Sequence, residues 1–147
     1  MTVQDFIVNY NETFRYLHDR FGKKAVVKLW EFLADTNVEL EQAVAKGGLE
    51  GYMEYFYGDN GLTVREDVSG YHRICDGVYE ERIVNCPSVG EMEERGKQPY
   101  RYYCEHCYWL YRKALEDHGF IYEADYELQP KDGGYCKDCS FYARKRG

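Results

Sequence analysis

Cys104-Glu-His-Cys107 is followed, after 28 residues, by Cys136-Lys-Asp-Cys139. Two residues between cysteines let both sulfurs reach one ion about 2.3 Å away without straining the backbone, and two such pairs complete a tetrahedron. A chain that uses all four thiols on one metal must bring residue 139 back beside residue 104. One helix leaving the first pair and a hairpin returning to the second would do this. The gap is longer than the roughly 15–20 residues usual between zinc-binding pairs, and it has room for that route. Arg101 and Lys137 are placed to temper the negative charge of four thiolates. The expected ligands are Cys104, Cys107, Cys136 and Cys139.

Other uses of these thiols compete with that reading. A cysteine pair on the apolar face of a helix can be plain core, which suits Cys104 and Cys107 but not the charged second pair. A Cys-x-x-Cys opening a helix can also be a redox dithiol, yet the βαβ unit that a thioredoxin-like fold needs does not precede it. In a regular strand Cys136 and Cys139 would point to opposite faces, so joint ligation needs a bulge or a knuckle there. Cys86, before a proline at a strand end, is the alternative fourth ligand in place of Cys136. Four thiolates suit zinc, and they equally suit a four-iron, four-sulfur (4Fe-4S) cluster. Cys75 is expected in the core.

The remaining composition fits a compact protein inside a cell. The 147 residues suffice for one domain with a sizeable core. The net charge is −7, with 10 basic and 18 acidic groups over residues 1–95 and near balance after that. Such a chain is poorly suited to holding a phosphate backbone, so nucleic acid is not an expected partner. No apolar run approaches the roughly 20 residues of a membrane span, and the start lacks the pattern of a secretory signal. A cytoplasmic location is expected, where six cysteines favour metal or redox chemistry over disulfides. Sixteen tyrosines bring large rings whose hydroxyls need partners.

The order of elements reads as α+β in a single domain, with a helical section over 1–61 and a sheet-bearing section over 62–147. Apolar residues from Asp5 to Phe21 recur at spacings of three and four, and Gly22 stops that helix. Lys23 to Lys46 is again helical in period, with a break near Asp35-Thr36-Asn37 and a stop at Gly47-Gly48. A short third helix is expected from Leu49 to Tyr57, before the turn Gly58-Asp-Asn-Gly61. Strands are expected at Leu62–Val68, Gly70–Cys75 and Val78–Cys86, with Asp76-Gly77 as a hairpin turn and Pro87 as the stop. Ser88 to Gly96 reads as a charged connection with room for one helix. Pro99 to His118 is the one long helix of this half. Phe120 to Leu128 and Tyr135 to Ala143 form a closing antiparallel pair around the turn Gln129–Gly134, and the sheet as a whole is antiparallel. The basic end Arg144-Lys-Arg-Gly reads as solvated.

Three stretches carry a family resemblance: Arg82-Ile-Val-Asn-Cys86-Pro87, Tyr103-Cys104-Glu-His-Cys107 and Gly133-Gly-Tyr-Cys136-Lys-Asp-Cys139-Ser-Phe141. Together they resemble the L-2-amino-thiazoline-4-carboxylic acid hydrolase-like family and, more distantly, the small-molecule-binding domain named for 4-vinyl reductases. Cys86, Cys104, and Cys139 with Phe141 match that pattern in order, over about the last 65 residues. The resemblance implies an α+β fold, a cysteine-lined site, and a small organic acid or an aromatic compound as guest. Cys107 stands where the hydrolase pattern has aspartate, and Cys136 doubles the last cysteine. Both departures favour a closed, structural four-sulfur site over an open hydrolytic one.

Two functions follow. One is a zinc-binding domain with a structural metal and a tyrosine-lined pocket for a small molecule. The other is a metal-dependent hydrolase acting on a small cyclic amide or thiazoline-type substrate, for which Glu105, His106, His72 and Asp138 are candidate bases by type. Helical geometry turns His106 away from the face that Cys104 and Cys107 share, so a solvated His106 is expected. His18 and His118 fall on helix surfaces or ends. Motifs for nucleotide phosphates, serine nucleophiles, dinucleotides and HExxH zinc are absent from the sequence.

Overall fold

The structure is a computed structural model that describes residues 2–57, 69–125 and 138–147. Helices α1 (Val3–Phe21), α2 (Lys23–Asp35) and α3 (Val38–Tyr57) come first, followed by strands β1 (Ser69–Cys75) and β2 (Val78–Val84). Helices α4 (Pro87–Glu94) and α5 (Glu105–Glu116) lead to β3 (Phe120–Asp125) and β4 (Cys139–Lys145). The expected turn at 58–61, strand at 62–68 and turn at 129–134 lie outside the described residues.

Local chemistry explains most boundaries. Thr2 caps α1 reciprocally with Asp5, each side chain bonding the other's backbone N–H. Gly22, at φ 83°, takes the left-handed turn that separates α1 from α2. The expected stop at Gly47-Gly48 is a kink instead: Gly48 adopts φ 59° and ψ −135°, and the helix then resumes. There the two arms lie so close that a Cβ on Gly51 would fall 2.0 Å from the Ala43 carbonyl oxygen.

The helix expected from Pro99 starts only at Glu105. Tertiary hydrogen bonds hold the preceding segment open. Asn11, fully buried on α1, donates from Nδ2 to the Gln98 carbonyl at 2.9 Å, and its Oδ1 accepts the Tyr100 N–H at 2.6 Å. A buried backbone group must find a partner, and here a side chain 89 positions away supplies it.

The four strands form one antiparallel sheet in the order β1-β2-β4-β3. Asp76 and Gly77, at φ 52° and 76°, make the two-residue turn between β1 and β2. Period-two alternation gives the sheet an inner face toward the helices and an outer face. Ile74, Tyr79, Ala143 and Tyr122 lie in one inner row, with His72, Glu81, Phe141 and Ala124 in the next. Arg73, Glu123 and Arg144 are exposed on the outer face.

Cys75 belongs to that outer set. It is exposed, contrary to its expected place in the core, because the buried phase of β1 falls on Ile74 beside it. No helix of the described residues is long and apolar enough to cross a membrane.

Candidate functional site

The helices do not close completely over the inner face of β1 and β2. A cavity of about 630 Å³ remains between α1, the end of α3, the β1–β2 hairpin, α4 and α5. Tyr10, Tyr57, Tyr71, Tyr103 and Tyr111 line it, with His72 and His106. Its mouth is apolar, because Val3, Phe6 and Tyr71 are exposed there. An apolar concavity with a few convergent polar groups is the usual form of a small-molecule site.

Behind the lining residues Tyr57 and His72, outside the cavity wall itself, a polar cluster is centred on Glu81. Glu81 lies opposite His72 in the β1–β2 register, one row from Tyr79. Its Oε2 accepts the Tyr79 hydroxyl at 2.8 Å and the Tyr57 hydroxyl as well. The Tyr57 ring stacks on the His72 imidazole with centroids 3.7 Å apart. Burial pushes the Glu81 carboxyl above its ordinary range, while the two hydroxyls and His72 oppose that rise. The hydroxyls of Tyr57 and Tyr79 are pushed far up, first by burial and then by the Glu81 charge.

Glu81 was not among the sequence candidates. Tyr79, Glu81 and Ile83 share one strand face, so a carboxylate set between two apolar residues was the available sign.

The expected base candidates separate cleanly. His106 is buried, not solvated, and lies on the cavity wall against the rings of Phe14 and Tyr103. The buried arc of α5 is wider than one stripe, because the helix packs on α2 and α3 as well as on the sheet. His106 Nδ1 lies 2.5 Å from the Tyr103 carbonyl, so it donates there, and Nε2 is left with a lone pair 3.6 Å from Cys107 Sγ. Burial lowers its pKa to about 4. His72 also borders the cavity, at its exposed rim.

Glu105 is engaged elsewhere, paired with Lys23 at 2.9 Å, and Asp138 accepts the Asn85 N–H at 3.1 Å. His18 bonds the Tyr100 hydroxyl at 2.6 Å and His118 faces Glu41 at 2.8 Å, both away from the cavity.

None of the described cysteines lines the cavity. Cys104 precedes α5 and is buried, Cys107 sits one turn on and is half-buried, and Cys139 opens β4 and is buried. Cys86 caps α4. The thiols of Cys107, Cys86 and Cys104 all act on the Tyr103 hydroxyl, and Cys139 acts on that of Tyr57. Burial pushes the Cys86 thiol up, with Cys104 adding to the rise, which disfavours the thiolate a metal would need. Among the described residues, no three His, Cys, Asp or Glu side chains form a group that could hold a metal ion. Cys136 lies outside the described residues, as does Lys137, and the three described members of the expected set, Cys104, Cys107 and Cys139, do not form such a group.

No family model, curated protein or solved structure matches this chain.

Proposed function

We propose that the chain is a binding or sensing domain for a small organic guest, with a structural zinc bound by Cys104, Cys107, Cys136 and Cys139. The observation that carries the reading is the cavity of about 630 Å³ with five tyrosines in its wall. Tyrosine offers a guest a ring face and a hydroxyl together. The family resemblance of the cysteine segments supports the same class of guest, a small acid or an aromatic compound. The donor set suits zinc: all four ligands are sulfur, and a closed site of this kind ties one element to another. Here it would tie the start of α5 to the start of β4.

Guest binding is tested by thermal shift with millimolar benzyl alcohol, benzylamine and benzoate. A guest at ten times its Kd stabilises by about 1.4 kcal/mol, so at least one probe should raise Tm by several degrees. Ile7→Trp, which fills the cavity from α1, should abolish the rise. No shift with any probe overturns the reading.

The metal is tested by elemental analysis of protein purified without oxygen. One zinc per chain, lost in Cys104→Ser and Cys107→Ser, is the expected result. Iron with sulfide replaces zinc with a 4Fe-4S cluster, and no metal removes the structural site from the proposal.

A metal-dependent hydrolase is the second reading. It is favoured by His106, a neutral base on the cavity wall whose tautomer the Tyr103 carbonyl fixes. Release of a ring-opened product from a thiazoline-type substrate, lost in His106→Gln, would establish it.

A further inference from the structure

The inner face of the described strands carries a single carboxylate, Glu81, and its arrangement is asymmetric. Oε2 receives two tyrosine hydroxyls, whereas Oε1 has no hydrogen bond among the described residues. Oε1 is not sealed away either: among the described residues, the one fully enclosed side-chain polar atom without a partner is Trp30 Nε1. Glu81 is half-buried, and no Lys or Arg among the described residues pairs with it. The one basic group that acts on it is His72, its cross-strand neighbour. Around this charge stand five tyrosines, since Glu81 acts on the hydroxyls of Tyr52, Tyr57, Tyr79, Tyr111 and Tyr122.

A carboxylate withdrawn from water without a counter-ion is costly, and a cation arriving beside it recovers that cost. Aromatic faces add to the attraction, because the ring quadrupole is negative above its plane. Tyr57 connects the two features. Its ring borders the cavity while its hydroxyl proton is committed to Glu81, so its oxygen lone pairs stay available to accept. A chain running from an N–H through the tyrosine oxygen to the carboxylate is polarised in one direction and strengthens along its length.

We propose that the cavity selects a guest bearing a protonated amine or amidine, seated against Tyr57 and His72 with Glu81 as its counter-charge. This rests on the binding reading above and specifies the chemistry of the guest.

The test is isothermal titration of the full chain at pH 8 with benzylamine, benzyl alcohol and benzoate, which share a ring and differ in charge. Benzylamine should bind at least tenfold tighter than benzyl alcohol, and benzoate weakest of the three. Glu81→Gln should remove the advantage of benzylamine over benzyl alcohol, bringing their affinities within about twofold of each other. Benzyl alcohol equal to benzylamine, benzoate tightest, or an amine advantage that survives in Glu81→Gln each overturns the proposal. In those cases the cavity still binds a guest and the broader reading stands, whereas silence from all three probes overturns both. The ranking on the wild-type protein decides the charge preference even where the variant does not fold.

Discussion

The helical end of the molecule and its tyrosine end use large rings in opposite ways. Around α2, Phe14, Val26, Trp30, Leu40 and Leu115 are fully buried, and the Phe14 and Trp30 rings meet edge to face at 5.3 Å. Among the described residues, the one buried side-chain polar atom there without a partner is Trp30 Nε1. Around β2, Tyr57, Tyr79 and Glu81 meet through hydroxyls, and the helices leave a cavity beside them. Apolar rings fill space without regard to direction. Hydroxylated rings are held where their oxygens find partners, so they leave gaps that apolar side chains would close. The first end supplies stability, and the second keeps the room that the proposed guest would use.

That contrast predicts a graded set of effects. The largest belongs to the packed end: Trp30→Ala opens a large void and should cost about 3–5 kcal/mol in chemical denaturation. A loss under 1 kcal/mol would show that the helical end is looser than its burial indicates.

Next comes His106, where the two ends meet. Its folded pKa of about 4 lies below the ordinary value of 6.5, so the unfolded chain binds the proton more tightly. Stability at this group is therefore complete above about pH 6.5 and is lost as pH falls toward 4, by about 3 kcal/mol in all. Glu81 acts in the opposite sense. Its carboxyl is raised, so its contribution is greatest at low pH and declines as pH rises above the ordinary carboxylate range. Denaturation curves between pH 4 and 7 for wild type and His106→Gln should separate the two. The variant should lose the rise with pH, and an unchanged slope would mean that His106 is hydrated in the folded protein.

The smallest effect is expected at Cys75, exposed on the outer sheet face. Cys75→Ser should stay within about 0.5 kcal/mol of wild type.

Much of the fold was legible in the residue pattern, for reasons that also explain the failures. Spacings of three and four gave α1 and α2, Gly22 marked their junction, and Asp76-Gly77 gave the hairpin turn, because each rests on interactions between near neighbours. Gly48 looked like a terminus, but a glycine's freedom serves a kink as readily as a stop. The segment at Pro99 was drawn out of helix by Asn11, from a part of the chain that no local window includes. His106 and Cys75 were misplaced for a common reason: a stripe or a strand phase shows which residues group together, not how many sides of the element are covered. Glu81 was readable from alternation, although its significance depends on Tyr57, which reaches it from another helix. The cysteine spacing remains the basis for the proposed metal, and the described residues contain three of its four expected ligands.

The strand order has a consequence for how the protein is made. β4 hydrogen-bonds to β2 on one side and β3 on the other, yet it follows both in the chain, and its Cys139 meets Ile83 across 56 positions. While a ribosome adds residues from the amino end, β2 and β3 emerge as neighbours of an absent strand, each with an open edge. Such edges invite pairing with other chains. The acidic balance of the earlier residues, 18 acidic groups to 10 basic through residue 95, gives nascent copies mutual repulsion during that wait.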